Sequence, residues 1–199
     1  MNLLKFHNKI KGYTQNRQPG IEADMEPKPI AELEEYKAAG KLENKVALIT
    51  GGDSGIGRAI AILYAKEGAN VAIGYYDEHQ DAEDTVNRLQ EMGVKAKAYA
   101  HDLKDEKQSQ KLIKDVINDF GSLNILVNNG GVQFPRDHFE DITPQQVKET
   151  FMTNIFGMMF LSQAAVPYLS EGDTIINTTS VTAYRGSGHL IDYSATKGA

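Results

Sequence analysis

From residue 44 onward the chain alternates between two hydrophobic rhythms. Short runs with strand character appear at "KVALIT" (45–50), "NVAIGYY" (70–76), "VKAKAYA" (94–100), "LNILVNN" (123–129) and "DTIINTTS" (173–180). Between them lie longer stretches whose apolar residues recur at three and four, the period of an amphipathic helix. The first, "GIGRAIAILYAKEGA" (55–69), places Ile56, Ile60, Leu63 and Tyr64 at that spacing. "DAEDTVNRLQEMG" (81–93) and "KDEKQSQKLIKDVINDFG" (104–121) each close on glycine, the residue that accepts the left-handed conformation at a helix end. Strands of four to seven residues alternating with helices of ten or more predict a parallel sheet, and continuously apolar strands predict burial on both faces. Right-handed crossovers then give a doubly wound, Rossmann-type three-layer α/β sandwich.

A fourth helical stretch, 143–170, starts at Thr143 as cap, with Pro144 at the first helical position and Gln146 completing a capping box. Phe151, Met152, Ile155, Phe156, Met158, Met159, Phe160 and Leu161 cover more than one face of it. One face on a sheet needs a single apolar stripe, so the excess predicts a second buried face against another subunit; a helix internal to the monomer is the other account.

Residues 1–40 break the rhythm, with prolines, scattered charge and no sustained period. They read as an extended N-terminal arm with a short helix at 30–38, either a disordered tail or a segment packed over its own domain or a partner subunit. Residues 41–199 form the second unit. The mildly basic segment 1–13 lacks the apolar run and cleavage site of a secretory signal, and no run is long enough to span a bilayer, so the sequence reads as a soluble cytoplasmic protein.

Composition narrows the classes. With 21 Lys and Arg against 27 Asp and Glu, the net charge of −6 argues against nucleic-acid binding. There is no cysteine, which removes disulfides, thiolate metal sites and cysteine nucleophiles. The histidines at 7, 79, 101, 138 and 189 are scattered and read as surface or structural, with His189 the nearest to the candidate chemistry; no cluster asks for a metal.

That chemistry begins at "TGGDSGIG" (50–57), which joins the first strand to the first helix. Glycine allows a tight turn and close approach of a ligand, and a helix N-terminus favours a diphosphate. A phosphate loop of the Gly-Lys-Ser/Thr type is ruled out, because Gly57 is followed by Arg58 and Ala59. At the other end, Tyr193 and Lys197 stand four positions apart (197 − 193 = 4), on one face of a helix.

The spacing Gly51-xxx-Gly55-x-Gly57 after Thr50 resembles the cofactor loop of the classical short-chain dehydrogenase/reductase family. "HDL" (101–103), "NNGG" (128–131, with Gly130 where the family keeps alanine), Asn154, Ser180, and Tyr193 thirteen residues later (193 − 180 = 13) with Lys197 continue the resemblance over about 44–199. It implies an NAD(P)-dependent oxidoreductase moving a hydride between a nicotinamide and a small carbonyl or alcohol. In that scheme Tyr193 is the general acid/base, and Lys197 favours phenolate and binds the nicotinamide ribose. Ser180 holds the substrate oxygen and Asn154 helps hold a water chain. A free phenol keeps its proton to about pH 10, and a nearby cation favours phenolate and lowers that value toward working pH.

The same resemblance places the cofactor against Gly51, Asp53, Ser54, Gly55, Ile56, Gly57, Tyr75, Tyr76, Asp102, Leu103, Asn129, Gly130, Gly131, Tyr193 and Lys197. It implies a homotetramer and further strands beyond Ala199, so the domain reads as incomplete at its C-terminus and the protein as continuing. Tyr75 stands where an acidic residue selects NAD and Ser54 where a basic one selects NADP. Asp77 and Glu78 follow, and Arg58 is the one nearby cation, so NAD is favoured slightly over NADP. Two alternatives remain. A redox-sensing dinucleotide-binding protein would not need Asn154, Ser180, Tyr193 and Lys197 together. The extended epimerases and dehydratases carry a Gly-xx-Gly-xx-Gly loop that this chain lacks.

Overall fold

The computed structural model describes residue 15, residues 17–33 and residues 35–199. The segment 1–13 and His7 lie outside them. Five strands form one parallel sheet: β1 (Val46–Thr50), β2 (Asn70–Tyr75), β3 (Ala96–Ala100), β4 (Ile125–Asn128) and β5 (Thr174–Asn177). Their order is β3-β2-β1-β4-β5, so the direction of winding reverses between β1 and β4. A crevice opens at such a point beyond the carboxyl ends of the strands. Registers Ile49↔Ile73 and Ile49↔Val127 bring the loops after β1, β2 and β4 to one edge.

Helices α1 (Gly55–Lys66) and α2 (His79–Glu91) cover one face, and α3 (Glu106–Phe120) with α5 (Gly157–Ala165) covers the other. Ile49, Val71, Ile73 and Val127 join the first core, and Leu48, Ala72, Leu126 and Leu161 the second. The alternation along each strand is the pleat sending successive side chains to opposite faces. The expected glycine ends are present, with Gly93 at φ 85° and Gly121 at φ 84°.

Four expectations need correction. Of the apolar positions spaced along α1, Ile60 and Tyr64 pack partly buried against the core, but Ile56 is 67% and Leu63 39% exposed, and the buried stripe is Gly57, Ala61, Ile62 and Ala65. Small residues win that face because the helix lies close on the sheet. The stretch 143–170 is not one helix: α4 (Pro144–Phe151) passes through a π turn at Met152–Phe156 into α5, which ends in a 3-10 turn at Val166–Tyr168. The capping box is half formed. Thr143 Oγ1 accepts the Gln146 N–H at 3.1 Å, but the Gln146 side chain bonds Arg136, Phe134 and Asp192 instead of returning to the cap.

Among the described residues of 30–38 there is no helix, only a turn in which the Tyr36 N–H donates to the Leu33 carbonyl. The arm packs along its own domain through polar ties. Glu32 bridges Lys66 and Arg88 at 2.9 Å each, the Tyr36 hydroxyl donates to Glu67, and Arg17 meets Asp77 at 2.6 Å. Two further helices, α6 (Thr182–Arg185) and α7 (Ile191–Gly198), complete the described chain. Among the described residues no helix is long and apolar enough to cross a membrane.

Candidate active site

The loop after β1 is held open by conformation and by neighbours. Gly51 and Gly55 take φ of 60° and 53°, a region L side chains rarely enter. A Cβ on Gly57 would overlap the Gly51 carbonyl oxygen and come within 2.8 Å of Asn129 Nδ2. Thr50 Oγ1 accepts the N–H groups of Asn129 and Gly130, both at 3.0 Å, and Asn129 Nδ2 donates to the Thr50 carbonyl at 3.1 Å. The two loops are thereby laced into a floor without side chains, on which Leu103 packs against Gly130. Ile56 stands exposed at the crest.

The chemistry-bearing groups meet at the far end of this crevice. Asn154 lies in the π turn, 3% exposed. Such turns mark functional sites in many helices, because the extra residue re-aims a side chain. Its Oδ1 accepts the Val132 N–H at 2.8 Å, and its Nδ2 donates to the Val132 carbonyl at 2.9 Å and Thr196 Oγ1 at 3.1 Å. The amide thus clamps the loop after β4 to α7. On α7, Lys197 Nζ lies 5.7 Å from the Tyr193 ring centroid and donates to the Thr178 carbonyl at 2.8 Å. Burial holds the Lys197 ammonium below the ordinary lysine range. Lys197, Asn154, Thr50, Gly130 and Thr178 line one narrow cavity. Ser180 Oγ accepts the Thr182 N–H at 3.2 Å and the Thr182 hydroxyl at 3.1 Å, which leaves its own proton to be donated elsewhere.

Toward the other end, Asp102 Oδ1 accepts the Lys104 N–H at 2.9 Å, and Lys104 Nζ lies 5.8 Å from the Tyr76 ring centroid. The Tyr75 hydroxyl shares a hydrogen bond with His79 Nδ1 at 2.9 Å. Burial pushes the Tyr75 phenol up, with Asp53 and Glu78 adding to it. Asp53 is buried under the loop, its carbonyl accepting from Thr85 at 2.8 Å; burial raises its carboxyl, and Asp81 and Glu22 reinforce the shift. Ser54 precedes α1 without a side-chain cap bond. His189 is surface-exposed, bonded to the Arg136 carbonyl at 3.2 Å and away from the cavity.

Arg58 is not the one nearby cation. Arg17 of the arm and Lys104 are brought to the same end, and Arg58 itself is paired with Glu22. Two further arrangements were missed. Glu22 sits on the α1 N-terminus. Asp192, adjacent to Tyr193, accepts from Thr150 Oγ1 at 2.8 Å and Gln146 Nε2 at 3.1 Å. Neither carried a local motif; the one available signal for Asp192 was an acid in the first turn of the Tyr193 helix.

Tyr76 and Tyr193 stand toward opposite ends of this crevice, which has the features a dinucleotide site needs. The strand switch point provides the crevice, the glycine floor lets backbone approach, and the half-buried Lys197 stands at one end.

The sequence matches the short chain dehydrogenase family over residues 45–199. It is 49% identical over 197 residues to General stress protein 39 of Bacillus subtilis, covering 99% of this chain and 69% of that protein. It is 44% identical over 193 residues to the glucose and ribitol dehydrogenase of Daucus carota, covering 93% and 66%. A short chain dehydrogenase from Burkholderia cenocepacia, solved with NADP, superposes with a TM-score of 0.77 at 36% identity, covering 80% of this chain and 65% of that one. The chain thus spans about two thirds of the length of the relatives it matches. With the glycine floor, the switch-point crevice and the Tyr193–Lys197 pair on one edge of a parallel sheet, the chain belongs to the short-chain dehydrogenase family.

Proposed function

We propose that the protein is an NAD(P)-dependent oxidoreductase acting on a small alcohol or carbonyl, with a sugar or polyol as the substrate class the Daucus carota relative suggests. The observation that carries this is the Tyr193–Lys197–Asn154 grouping at the end of the glycine-floored crevice. A bound nicotinamide would supply or accept the hydride. Tyr193 gives a proton to the developing alkoxide in reduction and takes it from the alcohol in oxidation. Lys197, held by the Thr178 carbonyl, puts a cation beside the phenol and favours the form that receives the proton. Ser180 directs its hydroxyl at the substrate oxygen. Asn154 keeps the loop after β4 and α7 at a fixed separation.

NAD is the preferred cofactor in this reading, because Asp53, Asp77, Glu78 and Asp81 near the end of β2 outnumber the cations Arg17, Arg58 and Lys104 there. The arm (1–40) and the catalytic domain (41–199) act as one unit. Exposed Phe156 and Met159 on one outer face support a homotetramer, and a cytoplasmic location completes the proposal.

Tyr193→Phe tests the core of it. Turnover with sugar alcohols should fall about 10²- to 10⁴-fold, the range for a lost general acid/base, while calorimetric dinucleotide affinity stays within about twofold. Wild-type turnover in this variant would overturn the assignment. Dinucleotide binding with no turnover on any alcohol or carbonyl, in wild type and variant alike, would favour the redox-sensing alternative.

A further inference from the structure

Glu22, in the arm, is 7% exposed although it is a carboxylate. Its Oε2 accepts the Gly55 N–H at 2.6 Å and its Oε1 the Arg58 guanidinium at 2.9 Å. Its own N–H donates to Asp81 Oδ2 at 2.8 Å. Gly55 and Arg58 open α1, and Asp81 lies in the first turn of α2. Glu22 therefore bridges the two loops that flank the end of β2. In dinucleotide folds that is where an acidic residue at the end of the second strand meets the ribose 2′-hydroxyl. Here that strand ends in Tyr75, whose hydroxyl is turned to His79.

We infer that Glu22 of the N-terminal arm is a specificity-determining residue that excludes the 2′-phosphate of NADP, doing from outside the sheet what an acid at the end of β2 does elsewhere. This rests on the reading of the crevice as a dinucleotide site. Two effects combine. Pairing with Glu22 occupies Arg58, the cation closest to the glycine loop. The carboxylate also joins Asp53, Asp77, Glu78 and Asp81, while the cations placed at this end, Arg17, Arg58 and Lys104, are each already paired with an acid. Arg17 is itself held by Asp77 at 2.6 Å and Glu78 at 3.7 Å. Glu22, Asp53, Asp77, Glu78 and Asp81 outnumber the cations that pair with them, so this end keeps a net negative charge toward a ligand. A doubly charged phosphate entering this end meets repulsion, whereas a hydroxyl does not.

The test is calorimetric binding of NAD⁺ and NADP⁺ to the full chain, without substrate. Wild type should bind NAD⁺ more tightly. Glu22→Gln, which removes the charge and releases Arg58, should shift the ratio toward NADP⁺ by about tenfold, equivalent to about 1.4 kcal/mol. Glu22→Asp should keep the wild-type ratio, and adding Arg58→Ala to Glu22→Gln should cancel the gain. On the wild-type chain, raising salt should narrow the gap, since screening weakens charge repulsion; this arm needs no variant to fold. A ratio unchanged in Glu22→Gln, or equal weakening of both dinucleotides, would overturn the inference by showing a purely structural cap. So would tighter NADP⁺ binding in wild type that Arg17→Ala abolishes. Failure of every form to bind either dinucleotide would instead overturn the reading of the site, and the inference with it.

Discussion

Thr150→Val measures how far the placement of Tyr193 depends on the buried contact between α4 and α7. Thr150 is fully buried and Asp192 is 5% exposed. The single hydroxyl proton of Thr150 is within reach of Asp192 Oδ2 at 2.8 Å and of the Gln146 carbonyl at 2.9 Å. Asp192 Oδ2 has one other donor, Gln146 Nε2 at 3.1 Å, and Oδ1 has no partner. Valine keeps the shape and leaves the carboxylate with that one donor. A hydrogen bond to a buried charged group is worth about 1.5–3 kcal/mol, so a loss of about 2 kcal/mol is expected. For a chain of this size that lowers Tm by about 4–8 °C. Because Asp192 adjoins Tyr193, the loosened helix should also cost turnover, and a misplacement well under 1 Å corresponds to about tenfold in kcat. The change leaves the glycine loop itself untouched, so dinucleotide affinity should fall less than kcat. Thermal unfolding, steady-state kinetics and calorimetry on the same preparation separate these effects. An unchanged Tm with unchanged kcat would refute the clamp. An equal loss of dinucleotide affinity would show a general loosening rather than a positioning effect.

Gly57→Ala should cost about 1–3 kcal/mol or more in urea unfolding, because the new methyl overlaps the Gly51 carbonyl, and should abolish measurable dinucleotide binding; wild-type affinity would show that the loop yields. The lowered Lys197 value places loss of its charge below the ordinary lysine range, so turnover should fall on the alkaline side before a surface lysine would titrate, and Lys197→Arg should move that limb upward; an identical alkaline limb in both would assign it to another group. Glu32 is held near 2, first by its bond to Arg88 and then by Lys66, and Glu67 is also near 2, chiefly through Tyr36. Both are depressed, so their contribution to arm docking is full above the ordinary carboxylate value of about 4.5 and fades as pH falls toward 2. Pepsin should therefore cut within 17–41 increasingly over that window, and a cleavage rate that tracks an unstructured control peptide at every pH would contradict it.

The alternation of short apolar runs with helical stretches was legible because strand and helix periods differ and each element repeats its own locally. The parallel sheet, the glycine turn, and the order of Asn154, Ser180, Tyr193 and Lys197 followed from that pattern and from motif spacing. Local pattern could not choose the buried face of α1, since close approach to the sheet favours Gly57, Ala61 and Ala65 over the larger Ile56 and Leu63. Nor could it place the π turn at Asn154, where a single extra residue lets one side chain reach both Val132 and Thr196. The same limit explains Gln146: capping boxes are read within four residues, but this side chain is drawn to Asp192, forty-six positions away. Arm residues such as Glu22 and Arg17 carry no periodicity at all. Their partners, Arg58, Asp81 and Asp77, become neighbours only once the sheet has brought the starts of α1 and α2 together, which is why the arm's place over the end of β2 was decided by the tertiary structure alone.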